Sequence, residues 1–186
     1  ESTIPLICAG EGGAGGVGST MQLAMDIRLA SETARYGFVF ARRGIVPEDA
    51  SSWFLPRIVG ISQALEWCYS GRVFNAEEAH QGGLVRSIHA PGDLMAEARS
   101  IASEIAQNTS AVSVAMTRAM MWRLMSADHP MEAHKIDSRA IYRLSRGADA
   151  QEGIASFLEK RAPEYPGKVS EDMPDFYPWW IARAYE

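Results

Sequence analysis

Two stretches of this chain hold residues whose types and spacing could do chemistry. The first runs from Gly10 to Gly18, with six glycines in nine residues and Glu11 as its only charge. Glycines admit positive φ and let a ligand approach the backbone closely. The N–H groups at the start of a helix attract an oxygen that carries, or will acquire, negative charge. An apolar run precedes this stretch (Ile4 to Cys8), and a helical apolar pattern follows from Ser19 to Met25. Strand, glycine turn and short helix are therefore predicted, a device for holding an oxygen. The second stretch is Pro47-Glu48-Asp49. A proline followed by two acids predicts a helix start, with φ preset and the carboxylates facing the positive end of the dipole. On bare composition Glu48 there reads as an ordinary solvated first-turn acid.

Spacing narrows the choice of oxygen. A phosphate-cradling GxxxxGK[ST] loop needs a lysine after its last glycine, and none lies between Glu1 and Ala30. Gly10 to Gly15 does match the dinucleotide pattern GxGxxG. Its helix should begin within the motif, however, where Gly16 and Gly18 weaken the first turns. Seven residues between Gly18 and Asp26 are also too few for a crossover helix. Other candidates carry less. His129-x-x-Glu132-x-His134 places its histidines about 140° apart on a helix, off a single face, so a surface helix is expected and no metal site is assigned. Arg42-Arg43 reads as a solvated turn. Met116, Met120, Met121 and Met125 read as core filler. Cys8 and Cys68 read as free buried thiols of a reducing, cytoplasmic compartment.

Further elements must position these residues. Strands are expected over Asp26–Ala30, Ala34–Phe40 and Leu84–Ile88. The helix from Pro47 should pass Trp53 and end or kink at Pro56. Ser62 should cap the next helix and Gly71 stop it. Asn75-x-x-Glu78 is a near capping box for Ala76–Gln81. Helices follow from Asp93, over Ala111–Met125 and Pro130–Leu144, and from Asp149 as a cap to Lys160. After Arg161, prolines alternate with Tyr165, Phe176, Tyr177, Trp179 and Trp180, an extended arm packed on its own domain or on a neighbouring subunit. The predicted segments are residues 1–90 with the glycine turn and Glu48, a helical region 91–162, and the arm 163–186.

At 186 residues with 47% hydrophobic and 22% charged residues, the chain has the size and composition of one globular domain. A net charge of −5 argues against a nucleic-acid partner, which needs a basic face. No apolar run reaches membrane-spanning length, so no membrane partner is expected.

Pro5-x-x-x-Ala9-x-x-Gly12-x-x-x-Gly16-Val17-Gly18 followed by Leu23-Ala24-Met25-Asp26-Ile27 resembles the enoyl-CoA hydratase/isomerase (crotonase) superfamily. The similarity continues through Tyr36–Gly60, Ser70–Val85 and Asp149–Arg161, closest to the Δ3,Δ2-enoyl-CoA isomerase-like branch, with an N-terminal part of the family domain absent ahead of Thr3. The resemblance implies an α/β fold, a crotonase-like spiral of ββα units with a helical C-terminal region, and trimers or hexamers. It implies that the Val17 N–H, set by Gly16, contributes to an oxyanion hole for an acyl-CoA thioester.

In the family's hydratases two glutamates act, at positions that here are Thr20 and Phe40. Glu48, with Trp53 following, matches the single glutamate base of the isomerases. The resemblance thus implies an acyl-CoA enzyme shifting a double bond with Glu48 and Val17 as catalytic residues. Gly16, Thr20, Phe40 and Trp53 would line the substrate, and no cofactor beyond the CoA of the substrate is expected. The alternative is a non-catalytic homologue that binds acyl-CoA or serves assembly.

Overall fold

The computed structural model describes residues 2–185, which divide into two compact units: residues 6–102, and residues 2–5 with 103–185. In the first unit, β1 (Ile7–Gly10) and β2 (Gly13–Gly15) lead into α1 (Val17–Thr20) and a 3-10 turn, Met21–Ala24. The motif then recurs: β3 (Ile27–Ser31) and β4 (Arg35–Gly37) precede a 3-10 turn (Ala41–Arg43), α2 (Ser51–Val59) and α3 (Ile61–Ser70). β5 (Val73–Asn75), α4 (Ala76–Gln81) and β6 (Ser87–His89) follow, and α5 (Pro91–Asn108) leads out.

Like strands of successive motifs stack on one another. β1, β3 and β6 make one parallel sheet, with Ile7 opposite Ile27 and Leu29 opposite Ser87. β2 pairs in parallel with β4, Gly13 opposite Arg35, and β4 pairs antiparallel with β5, Tyr36 opposite Phe74. The result is the expected succession of ββα turns. Its core is aromatic: Trp67 and Phe74 stack with centroids 4.2 Å apart, and Phe38 lies 6.1 Å from Trp67. The indole N–H of Trp67 donates to Glu78 Oε1 at 2.8 Å. Glu78 also pairs with Arg72, which holds its carboxyl below the ordinary carboxylate range. Gly82 is required beside this ring, since a Cβ there would stand 2.6 Å from Trp67 Cη2.

The second unit holds α6 (Ala111–Leu124), α7 (Pro130–Leu144) and α8 (Ala148–Glu159). Ser110 and His129 cap the first two through side-chain acceptors at 3.1 Å. The arm packs on the helices of its own unit. Pro174 is buried, Arg139 covers Phe176 at 4.3 Å, and Arg123 covers Trp180 at 4.2 Å.

Several expectations are corrected. β1 begins at Ile7, three residues later than the apolar run, and β4 stops at Gly37. The last strand of the first unit is Ser87–His89, because Leu84 and Val85 turn off α4 through bonds to the Ala79 carbonyl. Pro56 sits inside α2 without ending it. α3 is capped by Gly60 at φ 81°, so Ser62 lies within the helix. Gly147, not Asp149, caps α8; the Asp149 carboxylate instead accepts the Ser110 hydroxyl and, at 2.8 Å, the Gly167 N–H. Met116 is core, but Met121 and Met125 are exposed.

Candidate active site

Gly16 takes φ 56° and ψ −122°, a conformation open to glycine, and α1 begins at the next residue. Val17 and Gly18 are the first residues of that helix, so their N–H groups face no helical carbonyl. A Cβ built on Gly15 or Gly16 meets no atom within 4 Å, so the turn fronts open space. Val17 is 56% exposed.

Four hydrogen bonds fix this turn. The Gly16 N–H donates to the Gly37 carbonyl at 3.1 Å, and the Gly37 N–H donates to Ser19 Oγ at 3.3 Å. Ser19 Oγ donates to the Ala14 carbonyl, and Gln22 Nε2 to the Gly18 carbonyl, both at 2.6 Å. Gly37 at the end of β4 therefore turns both its polar groups toward the glycine turn.

The Glu48 segment departs from its expected form. Pro47 starts no helix: Asp49 and Ala50 both lie in the left-handed region, at φ 51° and 54°, and α2 begins only at Ser51. Such residues cost roughly 1–2 kcal/mol each and persist where the surroundings over-determine them. Here the Glu48 carbonyl accepts both the Ser51 N–H at 2.8 Å and the Ser51 hydroxyl at 2.5 Å. The Ala50 carbonyl accepts the Trp53 N–H at 2.8 Å. The third restraint reaches across the unit: Thr20 Oγ1 stands 3.2 Å from Asp49 Oδ2, and 3.3 Å from the Val17 carbonyl. α2 packs against the 3-10 turn that follows α1. The Glu48 side chain is exposed.

Gly16, Val17 and Thr20 thus share one turn, and the residue after Glu48 is tied to it. Thr20 is buried with its hydroxyl engaged. Phe40 packs in the main core, while its carbonyl holds the N–H groups of Arg43 and Ile45. Trp53 is half-buried, edge-on to Phe54 at 4.8 Å and covered by the Arg57 guanidinium at 4.2 Å. Asp49, Ser19 and Ser51 were not singled out by the sequence reading. Asp49 was visible only as a first-turn acid, since nothing local marks a partner 29 residues away.

The remaining candidates take structural places. His129 caps α7, Glu132 pairs with Lys135 at 2.7 Å, and His134 is exposed. Arg42 and Arg43 lie in an exposed 3-10 turn, Arg42 Nε donating to the Ser70 carbonyl at 2.7 Å. Among the described residues no group of three or more His, Cys, Asp or Glu could hold a metal ion. Cys8 and Cys68 are free and half-buried, and burial pushes both thiols up. Burial also raises the phenol of Tyr36 to about 12; its hydroxyl is enclosed without a hydrogen-bond partner. A cavity of about 990 Å³ opens in the second unit among Met116, Met120, Ile141 and Tyr165. None of the turn's residues lines it.

Comparison with known proteins identifies the family. The family model described as enoyl-CoA hydratase/isomerase matches residues 1–168. The enoyl-CoA hydratase AFT3-1 of Alternaria alternata is 40% identical over 168 residues, 90% of this chain and 56% of the relative. The 1,2-epoxyphenylacetyl-CoA isomerase of Escherichia coli is 31% identical over 171 residues, 88% of this chain and 62% of the relative. Among solved structures, a probable enoyl-CoA hydratase/isomerase from Mycobacterium abscessus superposes with a TM-score of 0.86 at 32% identity. That match covers 90% of this chain and 66% of the other. The chain thus spans a little over half the length of the curated relatives it matches. With stacked ββα turns, a glycine-set helix start and a match over nine-tenths of its length, this chain belongs to the enoyl-CoA hydratase/isomerase family.

Proposed function

We propose that the protein is an acyl-CoA enzyme that isomerises an enoyl thioester, moving a double bond from C3–C4 to C2–C3. The Val17 N–H holds the thioester oxygen as it becomes an enolate, a task for which a preset donor is effective. Glu48 removes the proton at C2 and returns it at C4, so one carboxylate on one face suffices. Gly16 and Thr20 shape the turn, and Phe40 and Trp53 border the thioester. The reaction consumes no redox equivalent and needs no metal; CoA enters as part of the substrate. The observation that supports this reading is the packing of α2 on the 3-10 turn after α1, together with the hydrogen bond between Thr20 and Asp49, the residue after Glu48. Thr20 and Phe40, lacking carboxylates, favour this route over addition of water by paired acids.

The reading extends to assembly as a homotrimer or hexamer. Exposed apolar side chains on the second unit support it: Ile141 at 69%, Ile154 at 63%, Phe157 at 81% and Leu158 at 72%. No helix among the described residues is long and apolar enough to cross a membrane, and the free, half-buried thiols suit a reducing cytoplasmic setting.

The test is Glu48→Gln in the intact gene product, assayed on 3-enoyl-, 2-enoyl- and aryl-CoA thioesters. Isomerisation should fall by about 100- to 10,000-fold, with thioester binding retained and exchange at C2 in deuterated water lost. Parental turnover in the variant would overturn the assignment of Glu48. Binding without turnover in both proteins would replace it with the non-catalytic reading.

A further inference from the structure

The Glu48 segment poses a physical question. Two successive non-glycine residues are held left-handed immediately after the carboxylate assigned as base. The restraints from Ser51 and Trp53 are local and fix only the shape of the segment. Among the described residues, one hydrogen bond joins residues 44–50 to α1, that between Thr20 Oγ1 and Asp49 Oδ2. Thr20 is buried, 1% exposed, and its hydroxyl is also within reach of the carbonyl of Val17. The acceptor on the segment is thus the residue next to the base, and the donor belongs to the helix that starts with the oxyanion donor.

We propose that Asp49 is a positioning residue: through its hydrogen bond to Thr20 it registers the Glu48 segment against the Val17 turn, setting the distance from base to oxyanion donor. This inference rests on the isomerase reading above. In it Asp49 touches neither substrate nor proton; it acts by holding another group. Glu48 and Asp49 are both exposed, and through left-handed Asp49 and Ala50 the Asp49 carboxylate reaches the Thr20 hydroxyl.

The test compares four variants of the intact gene product with the parent and with Glu48→Gln, using the same 3-enoyl thioester. Asp49→Ala and Thr20→Val each remove one end of the bond. Each should lower kcat by about 10- to 100-fold, the scale of an ångström-sized misplacement, with little change in KM. Asp49→Asn and Thr20→Ser each keep an atom able to complete the bond and should recover most of the activity. The double variant Thr20→Val/Asp49→Ala should fall no further than either single change, since the two act as one unit.

Parental kcat in Asp49→Ala overturns the proposal. Loss in Asp49→Asn as deep as in Glu48→Gln overturns it also, because Asp49 would then carry the proton itself. Additive losses in the double variant likewise count against it. Should Asp49→Ala fail to fold, the Thr20→Val and Thr20→Ser pair decides between the same outcomes. Failure of the underlying reading is separate: it is parental turnover by Glu48→Gln, whatever the Asp49 variants do.

Discussion

In the proposed reaction Val17 acts through its backbone, so its side chain is a spectator and its nitrogen is not. Val17→Gly should keep kcat/KM within about tenfold, while Val17→Pro deletes the donor and should cost about 100-fold or more. Proline is tolerated at the first helical position, so circular dichroism should show the fold retained in both. Equal activity of the proline variant and the parent would remove Val17 from its role. At this scale the sequence was informative where chemistry is local. Gly10 to Gly18 read as a turn ahead of a helix from Ser19; the helix start is there, but α1 begins at Val17 and Gly13–Gly15 form β2. Pro47-Glu48-Asp49 read as a helix start and is not one. The pattern is sound in isolation; Ser51 and the distant Thr20 hydroxyl override it, and the Thr20 partner is not marked in the local sequence.

Elements with a side-chain cap were read well. Asn75 accepts from the Glu78 N–H at 2.9 Å, and α4 spans the residues expected of it. Pro130 opens α7, whose limits are those read from the sequence. Elements made by a partner were not. β2 is Gly-Ala-Gly, with no strand preference of its own, and exists because β4 lies alongside.

Asp149 was misread for a related reason: its carboxylate serves the arm, which local spacing does not reveal. Glu152 does the same on α8. It accepts from Arg161 at 2.6 and 2.8 Å and from the Glu164 N–H at 2.7 Å, and these bonds bring its carboxyl from the ordinary 4.5 down to about 2, with the Arg161 bond the larger cause. A depressed carboxyl stabilises the folded state above its unfolded value and ceases to do so as pH falls through its folded one. The second unit should therefore lose this contribution between about pH 4.5 and 2. In Glu152→Gln that share of the acid dependence should vanish. Near-ultraviolet circular dichroism of the arm tryptophans during acid titration reads it, and identical titrations of the two proteins would refute the link.

For the molecule as a whole, the order of strands with short helices first and helices alone afterwards was legible, while the fold class came from the family resemblance carried by Gly16-Val17-Gly18 and its flanking motifs. Whether the arm packs on its own domain or on a neighbour was not, because aromatic residues say that they will be covered and not by what. It rests on its own unit, with Phe176 under Arg139 and Trp180 under Arg123. Deleting residues after Pro163 forfeits two cation–π contacts of about 0.5–2 kcal/mol each and the burial of Pro174. The melting temperature should drop by roughly 2–4 °C per kcal/mol lost. Calorimetry with sedimentation separates lost stability from lost assembly, and no change in either would leave the arm without a structural role.

The glycine turn is governed differently, from within the sheet. Gly37 gives its carbonyl to Gly16 and its N–H to Ser19, in a niche where a Cβ would press on Val39 and Val73 at 3.0 and 3.3 Å. In the proposed reaction the place prepared for the thioester oxygen is held by the neighbouring strand and not by the loop alone. Sequence drift along the rim can alter which molecules fit long before it alters where their charge will come to rest.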